Sequence, residues 1–140
     1  MQVQPYLFFE GRCEEALKFY GAAVGAKVID LMHFKDNPDP QAGAGCADGS
    51  APPPDKVMHA SFSIGDTTLM ASDGMASGKA DFKGMSLSIT AANDAEAKRL
   101  FNALSEGGQV QMPLTKTFFA SSFGMVADRF GVSWMVIALP

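Results

Sequence analysis

Apolar and polar residues alternate with two different periods along this chain, and the change from one period to the other recurs. From Tyr6 to Tyr20, YLFFEGRCEEALKFY, a strand-like run turns at Glu10-Gly11 into a stretch with helical spacing. There Ala16, Phe19, Tyr20 and Ala23 take the i, i+3, i+4, i+7 positions of one helix face. The same spacing returns 81 residues further on in Ala97, Leu100, Phe101 and Leu104, and at that offset Tyr6 and Phe8 fall on Leu87 and Ile89. The repeat predicts two βα units, with a site expected where two such halves meet.

Taken in order, the pattern predicts a strand from Val3 to Phe9 and a helix from Arg12 to Val24, ended by Gly25 in the left-handed conformation that glycine adopts cheaply. Lys27 to Phe34 reads as a strand with Val28, Asp30, Met32 and Phe34 on one side and Ile29, Leu31 and His33 on the other. Lys35 to Asp55 is too rich in proline and glycine for helix or central strand, so it is expected to be a long loop, and its position between strands carrying His33 and His59 suits a mobile flap. Lys56 to Ile64 alternates cleanly, Met58, Ala60, Phe62 and Ile64 against His59, Ser61 and Ser63; Gly65-Asp66 turns the chain back into Thr67 to Ser72. The second half repeats the order. It has a strand from Met85, a helix to about Glu106 opened by Asn93 with Glu96 three residues on, a short strand from Gln109 to Pro113, and a hairpin of Phe118 to Ala127 with Val132 to Leu139. The expected fold class is α+β: one domain of two βαβββ modules in tandem, about 1–73 and 84–140, joined by a linker of about 74–83.

Composition removes several function classes. With 47% hydrophobic and 19% charged residues the chain has the make-up of a packed globular protein rather than a disordered one. A net charge of −4 with scattered lysines and arginines argues against a nucleic-acid backbone as partner. No apolar run approaches the roughly 20 residues that span a bilayer, and the N-terminus lacks the basic and apolar regions of a signal peptide. Cys13 and Cys46 suit unpaired thiols, and cytoplasmic residence is the expectation. A small molecule is the expected partner.

The segments PYLFFEGRCEEALKFY, the hairpin running from Asp55-Lys56 through His59 to GDTTLMASD, the linker SDGMASGK and FGMVADRFGVSWMV resemble, in order and spacing, the PhnB-like group of the vicinal oxygen chelate superfamily, which includes glyoxalase I, bleomycin-resistance proteins and extradiol dioxygenases. The resemblance covers nearly the whole chain. It implies curled mixed sheets with outer helices, a cleft made by two modules, and a homodimer. In metal-using members of the superfamily, four side chains hold a divalent ion, one from the first and one from the last strand of each module. Carried over by spacing, those positions are Pro5, Met70, Ser86 and Met135, with Gln4 reached by a one-residue slip. None is a usual ligand for a hard or borderline cation, so no metal and no other cofactor is expected, although a divalent ion stays open. The group's methyltransferase label finds no glycine-rich turn of the Rossmann type here.

The cleft is expected to be lined by His59, Ser61, Met70, Ser72, Ser86, Phe119 and Met135, since Phe118 and Phe119 are consecutive and one must face it. His59 and Glu10 are the candidates for acid–base work, each with a bland counterpart: a histidine bonded within a polar patch, and a solvated turn residue. Both histidines together make an incomplete metal set. Cys13, at a helix start, is either a reactive thiol or simple packing. Trp134 and Tyr20 read as core. Three readings follow: a metal-free binding protein, a metal-dependent lyase, isomerase or dioxygenase of the superfamily, or a structural module with a vestigial cleft.

Overall fold

The computed structural model describes residues 1–38 and 53–140, which form two compact units, Met1–Ala80 and Asp81–Pro140. Most of the expected flap, residues 39–52 with Cys46, lies outside the described residues. Its described ends are clipped together: the amide of Phe34 donates to the carbonyl of Lys56 (3.0 Å) and that of Lys35 to Pro54 (3.1 Å).

The first unit contains β1 (Tyr6–Phe8), α1 (Cys13–Val24), β2 (Lys27–His33), a 3-10 turn at Phe34–Asp36, β3 (Val57–Ile64) and β4 (Thr67–Ser72). The second contains β5 (Leu87–Ala91), α2 (Asp94–Ser105), β6 (Gln109–Thr115), β7 (Ser122–Ala127) and β8 (Ser133–Ala138). Each unit has one four-stranded mixed sheet, ordered β1-β4-β3-β2 and β5-β8-β7-β6, in which only the first and last strands of the module run parallel. The α+β class and the repeated βαβββ order therefore hold.

Burial follows the helix face read from the sequence, with one exchange. Ala16, Leu17, Tyr20 and Ala23 of α1 are buried, Leu17 taking the place expected of Phe19. Tyr20 stacks on Phe62 of β3 at 6.3 Å between ring centroids, so the sheet face bearing Leu7, Ala60, Phe62, Leu69 and Ala71 is the core of this unit. In the second unit Ala97, Leu100, Phe101 and Leu104 of α2 cover the face bearing Val126, Trp134, Val136 and Ala138. Phe101 lies so close to β7 that a Cβ on Gly124 would sit 2.7 Å from its ring.

Several boundaries shift for physical reasons. The first strand begins at Tyr6, not Val3, and the fifth at Leu87, not Met85. The β6 strand runs past Pro113 to Thr115, which an edge strand tolerates because no inward donor is required there. The seventh begins at Ser122, because Thr117 Oγ1 accepts from the amides of Phe119 and Ala120 and folds 117–120 into a turn. The clean alternation expected from Met58 is broken by a bulge where β2 meets the start of β3. Met32 pairs with His59 but His33 pairs with Val57, so Val57 rather than Met58 joins the buried row.

The repeat offset also differs between helix and strand. The two helices keep the spacing of 81, but four residues separate β1 from α1 and only two separate β5 from α2. Register shows the odd step: Tyr6 faces Met70 and Ser88 faces Met135, so the helix-side row of β1, with Leu7, matches Leu87, Ile89 and Ala91, and Tyr6 corresponds to a residue on the other face of β5.

Candidate functional site

The face of the first sheet opposite α1 gathers its chemistry from three strands. Register sets Tyr6 beside Met70, and Met70 beside Ser61, placing β1, β4 and β3 side chains in one transverse row. His59 lies on the same face, two residues from Ser61. The Tyr6 hydroxyl is 2.9 Å from His59 Nδ1, and Ser61 Oγ is 3.5 Å from His59 Nε2. The Phe8, Tyr6 and His59 rings follow one another at centroid distances of 4.9 and 5.6 Å. When the phenol donates to Nδ1, Nε2 carries the proton and can donate in turn. The contact with Ser61 is at the outer limit of a hydrogen bond. In that tautomer the imidazole is held at Nδ1 and can donate from Nε2 to an incoming oxygen or nitrogen acceptor.

The remaining expected site residues separate into several groups. Ser72 is 3% exposed and its hydroxyl accepts from the amide of Gly74, so it is part of a turn rather than a contact surface. Glu10 spends its carboxylate on the amides of Met75 and Ser77 and on the Ser77 hydroxyl, while its carbonyl accepts from the amide of Gly78. That clasp needs Gly74, where a Cβ would fall 1.9 Å from Glu10 Oε2. His33 faces the helix side, its Nε2 against Glu14 of α1 and its Nδ1 3.5 Å from Asp36. A site using both histidines is excluded by this geometry, because the bulge turns His33 to one face of the sheet and His59 to the other.

The positions carried over for a divalent ion do not fit one. Pro5 precedes β1 and offers only a carbonyl, which accepts from the amide of Met70. The first-strand residue facing Met70 is Tyr6, engaged with His59; in the second unit Ser88, not Ser86, faces Met135. Ser86 donates to the carbonyl of Ser133, and Gln4 to that of Thr68. Neither a thioether with a phenol in the first unit nor a thioether with a hydroxyl in the second is a usual donor pair for Zn, Mg or Mn. Among the described residues, no cluster of three His, Cys, Asp or Glu side chains is arranged for a metal. Phe119 sits in the turn before β7 with its ring against Phe118 and Phe123, each at 5.1 Å.

Cys13 is fully buried, and burial, with Asp73 and Glu14 adding repulsion, pushes its thiol far above the ordinary range. Desolvation outweighs the helix N-terminus, so Cys13 is core rather than nucleophile. In Cys46→Ser protein, Cys13 is expected to react with an aromatic disulfide reagent only on unfolding; prompt native-state labelling would contradict this.

Sequence reasoning missed Asp73, which is 1% exposed and accepts from three backbone amides: Gly11 and Cys13 at 2.8 Å each on Oδ1, and Val57 at 2.7 Å on Oδ2. Arg12, at the N-cap of α1, makes no side-chain cap, so Asp73 caps the helix from β4's end. The signal available was an aspartate followed by glycine directly after a strand.

The pattern of the family described as 3-demethylubiquinone-9 3-methyltransferase matches residues 1–137. Protein YjdN of Escherichia coli K12 is 35% identical over 138 residues, covering 97% of this chain and 94% of that protein. The crystal structure of protein PA1353 from Pseudomonas aeruginosa matches with a TM-score of 0.83 at 45% identity, over 99% of this chain and 98% of that one. The PhnB protein of Bacillus cereus matches with a TM-score of 0.79 at 26% identity, over 99% of both chains. A glyoxalase-related enzyme from Fulvimarina pelagi shares the fold, with a TM-score of 0.62 at 18% identity, over 100% of this chain and 89% of that one.

Proposed function

The chain belongs to the PhnB-like family described as 3-demethylubiquinone-9 3-methyltransferase, within the vicinal oxygen chelate superfamily, and from that premise we propose that it binds a small molecule without a divalent metal. The observation that carries the reading is the hydrogen-bonded group of Tyr6, His59 and Ser61 beside Met70, on the sheet face that α1 leaves free. A row of rings beside one oriented imidazole suits a ligand with a flat part and an acceptor atom. Methyl transfer is not proposed. The β1–α1 turn holds one glycine, and the amides of Gly11 and Cys13 are already spent on Asp73, so nothing there cradles a nucleotide cofactor.

A metabolite panel followed by thermal shift, with hits measured by calorimetry, tests the reading. Stoichiometric Zn, Fe, Mn or Ni in protein purified without chelator would overturn its metal-free part, and failure to bind across the panel would favour a vestigial site. His59→Ala is expected to weaken binding of a hit about tenfold, the loss of roughly one good hydrogen bond, while stability stays within about 1 kcal/mol. A collapse of folding instead would make His59 a structural partner of Tyr6.

A homodimer belongs to the same reading. The edge strand β2 exposes Val28 (50%), Ile29 (55%), Leu31 and Met32, an apolar edge of the kind that proteins cover. A monomer by light scattering at micromolar concentration would defeat it. Among the described residues no helix is long and apolar enough to cross a membrane.

A further inference from the structure

The second sheet carries on its helix-free face a feature that the site in the first unit does not use. Met135 of β8 pairs with Met125 of β7, and Met125 pairs with Met112 of β6, so three methionines stand abreast on three adjacent strands. The alignment depends on a bulge. Val110 pairs with Val126 on the helix side, and a regular ladder would set Gln111 opposite Met125 and turn Met112 toward α2. The register shift between Val110 and Met112 inserts one residue and brings Met112 round to Met125. Neighbouring strands are about 4.8 Å apart, so the outer two methionines are roughly 10 Å apart at the backbone. Three rotatable bonds each let their sulfurs lean in over Met125.

We propose that Met112, Met125 and Met135 form a soft-metal site that takes a monovalent d10 ion, Cu(I) or its analogue Ag(I). Thioethers select such ions over Zn, Mg or Mn. The surrounding chemistry supports that choice, since β5, β6, β7 and β8 contain no Asp, Glu, His, Cys, Lys or Arg to favour a harder ion. The row is open to an incoming ion, Met112 being exposed and the other two half-buried. In the first unit Met70 stands between Tyr6 and Ser61, so the described residues there hold no comparable sulfur row.

Titration of Cys46→Ser protein with silver nitrate, and anaerobically with Cu(I) against a bicinchoninate competitor, tests the site; Cys13 is shut inside the core. With methyl-13C methionine, one equivalent of either ion is expected to move the methyl resonances of Met112, Met125 and Met135 together, leaving Met58, Met75 and Met85 in place, while Zn(II) moves none. Met125→Leu conserves volume, so it should retain the melting temperature and lose at least tenfold in affinity. Binding that survives Met125→Leu and Met135→Leu, or no displacement of these three resonances, overturns the proposal. Shifts produced by uncharged arenes but not by Ag(I) would overturn it in favour of an apolar ligand surface.

Discussion

Replacing Asp73 by alanine is expected to cost about 3–5 kcal/mol, because two buried backbone amides and a part-buried one lose their acceptor together and each buried orphan costs roughly 1–3 kcal/mol before relaxation. The three come from two separate places. Gly11 and Cys13 open α1, whose N-cap residue Arg12 provides no side-chain acceptor, and Val57 opens β3. The Asp73 amide returns a bond to the carbonyl of Val57 at 2.9 Å, so one residue ties the helix start and the first rung of β3 to the end of β4. Against a total stability of about 5–15 kcal/mol for a typical domain, the loss is a large share. Asp73→Asn keeps one acceptor oxygen and turns an amide NH2 toward the remaining donors, so it should fall between wild type and alanine. Urea unfolding followed by circular dichroism gives the comparison. A cost under about 1 kcal/mol for Asp73→Ala would mean that the turn re-forms around water.

Asp73 also shows where reading the sequence stops. Helix faces were legible because 3.6-residue periodicity is local: Ala16, Tyr20, Ala97, Phe101 and Leu104 are buried as their spacing implies. Cross-strand register is not local. Pro5 is one residue from the position facing Met70 and Ser86 two from the position facing Met135, because strand pairing, not the helix repeat, decides which residues stand opposite one another. Met58 misled for a related reason, since a single bulged residue reverses the alternation on which a strand assignment rests. Tyr6 was noticed only as part of an apolar run; its hydroxyl gains meaning from His59, 53 residues away. For Ser72 the polar character was visible, but its bond to Gly74 was not, and that bond removes it from the surface.

The same limit hid Asp128, and its partner makes it measurable. Asp128 is 4% exposed; Oδ1 accepts from the amides of Phe130 at 2.9 Å and Val132 at 3.1 Å, and Oδ2 accepts from the Trp134 indole at 2.8 Å. The first two bonds shape the turn between β7 and β8, as an aspartate in a D-R-F-G turn is suited to do, and the third fixes the largest buried side chain of the second core. Asp128→Asn can keep the turn bonds through its amide oxygen, but it then presents NH2 to the indole N–H, two donors facing each other in a buried place. A loss of about 2–3 kcal/mol is expected, within the range for a buried hydrogen bond to a charged group. Trp134→Phe removes the indole donor, so in that background Asp128→Asn should cost less by roughly 1.5 kcal/mol or more, a coupling that a double-mutant cycle in urea reads directly. Because Trp134 is the single tryptophan, its emission in the Asp128→Asn protein reports on the same contact before any unfolding. Equal costs of Asp128→Asn with and without the indole would show that the turn bonds, not the bond to Trp134, hold Asp128 in place.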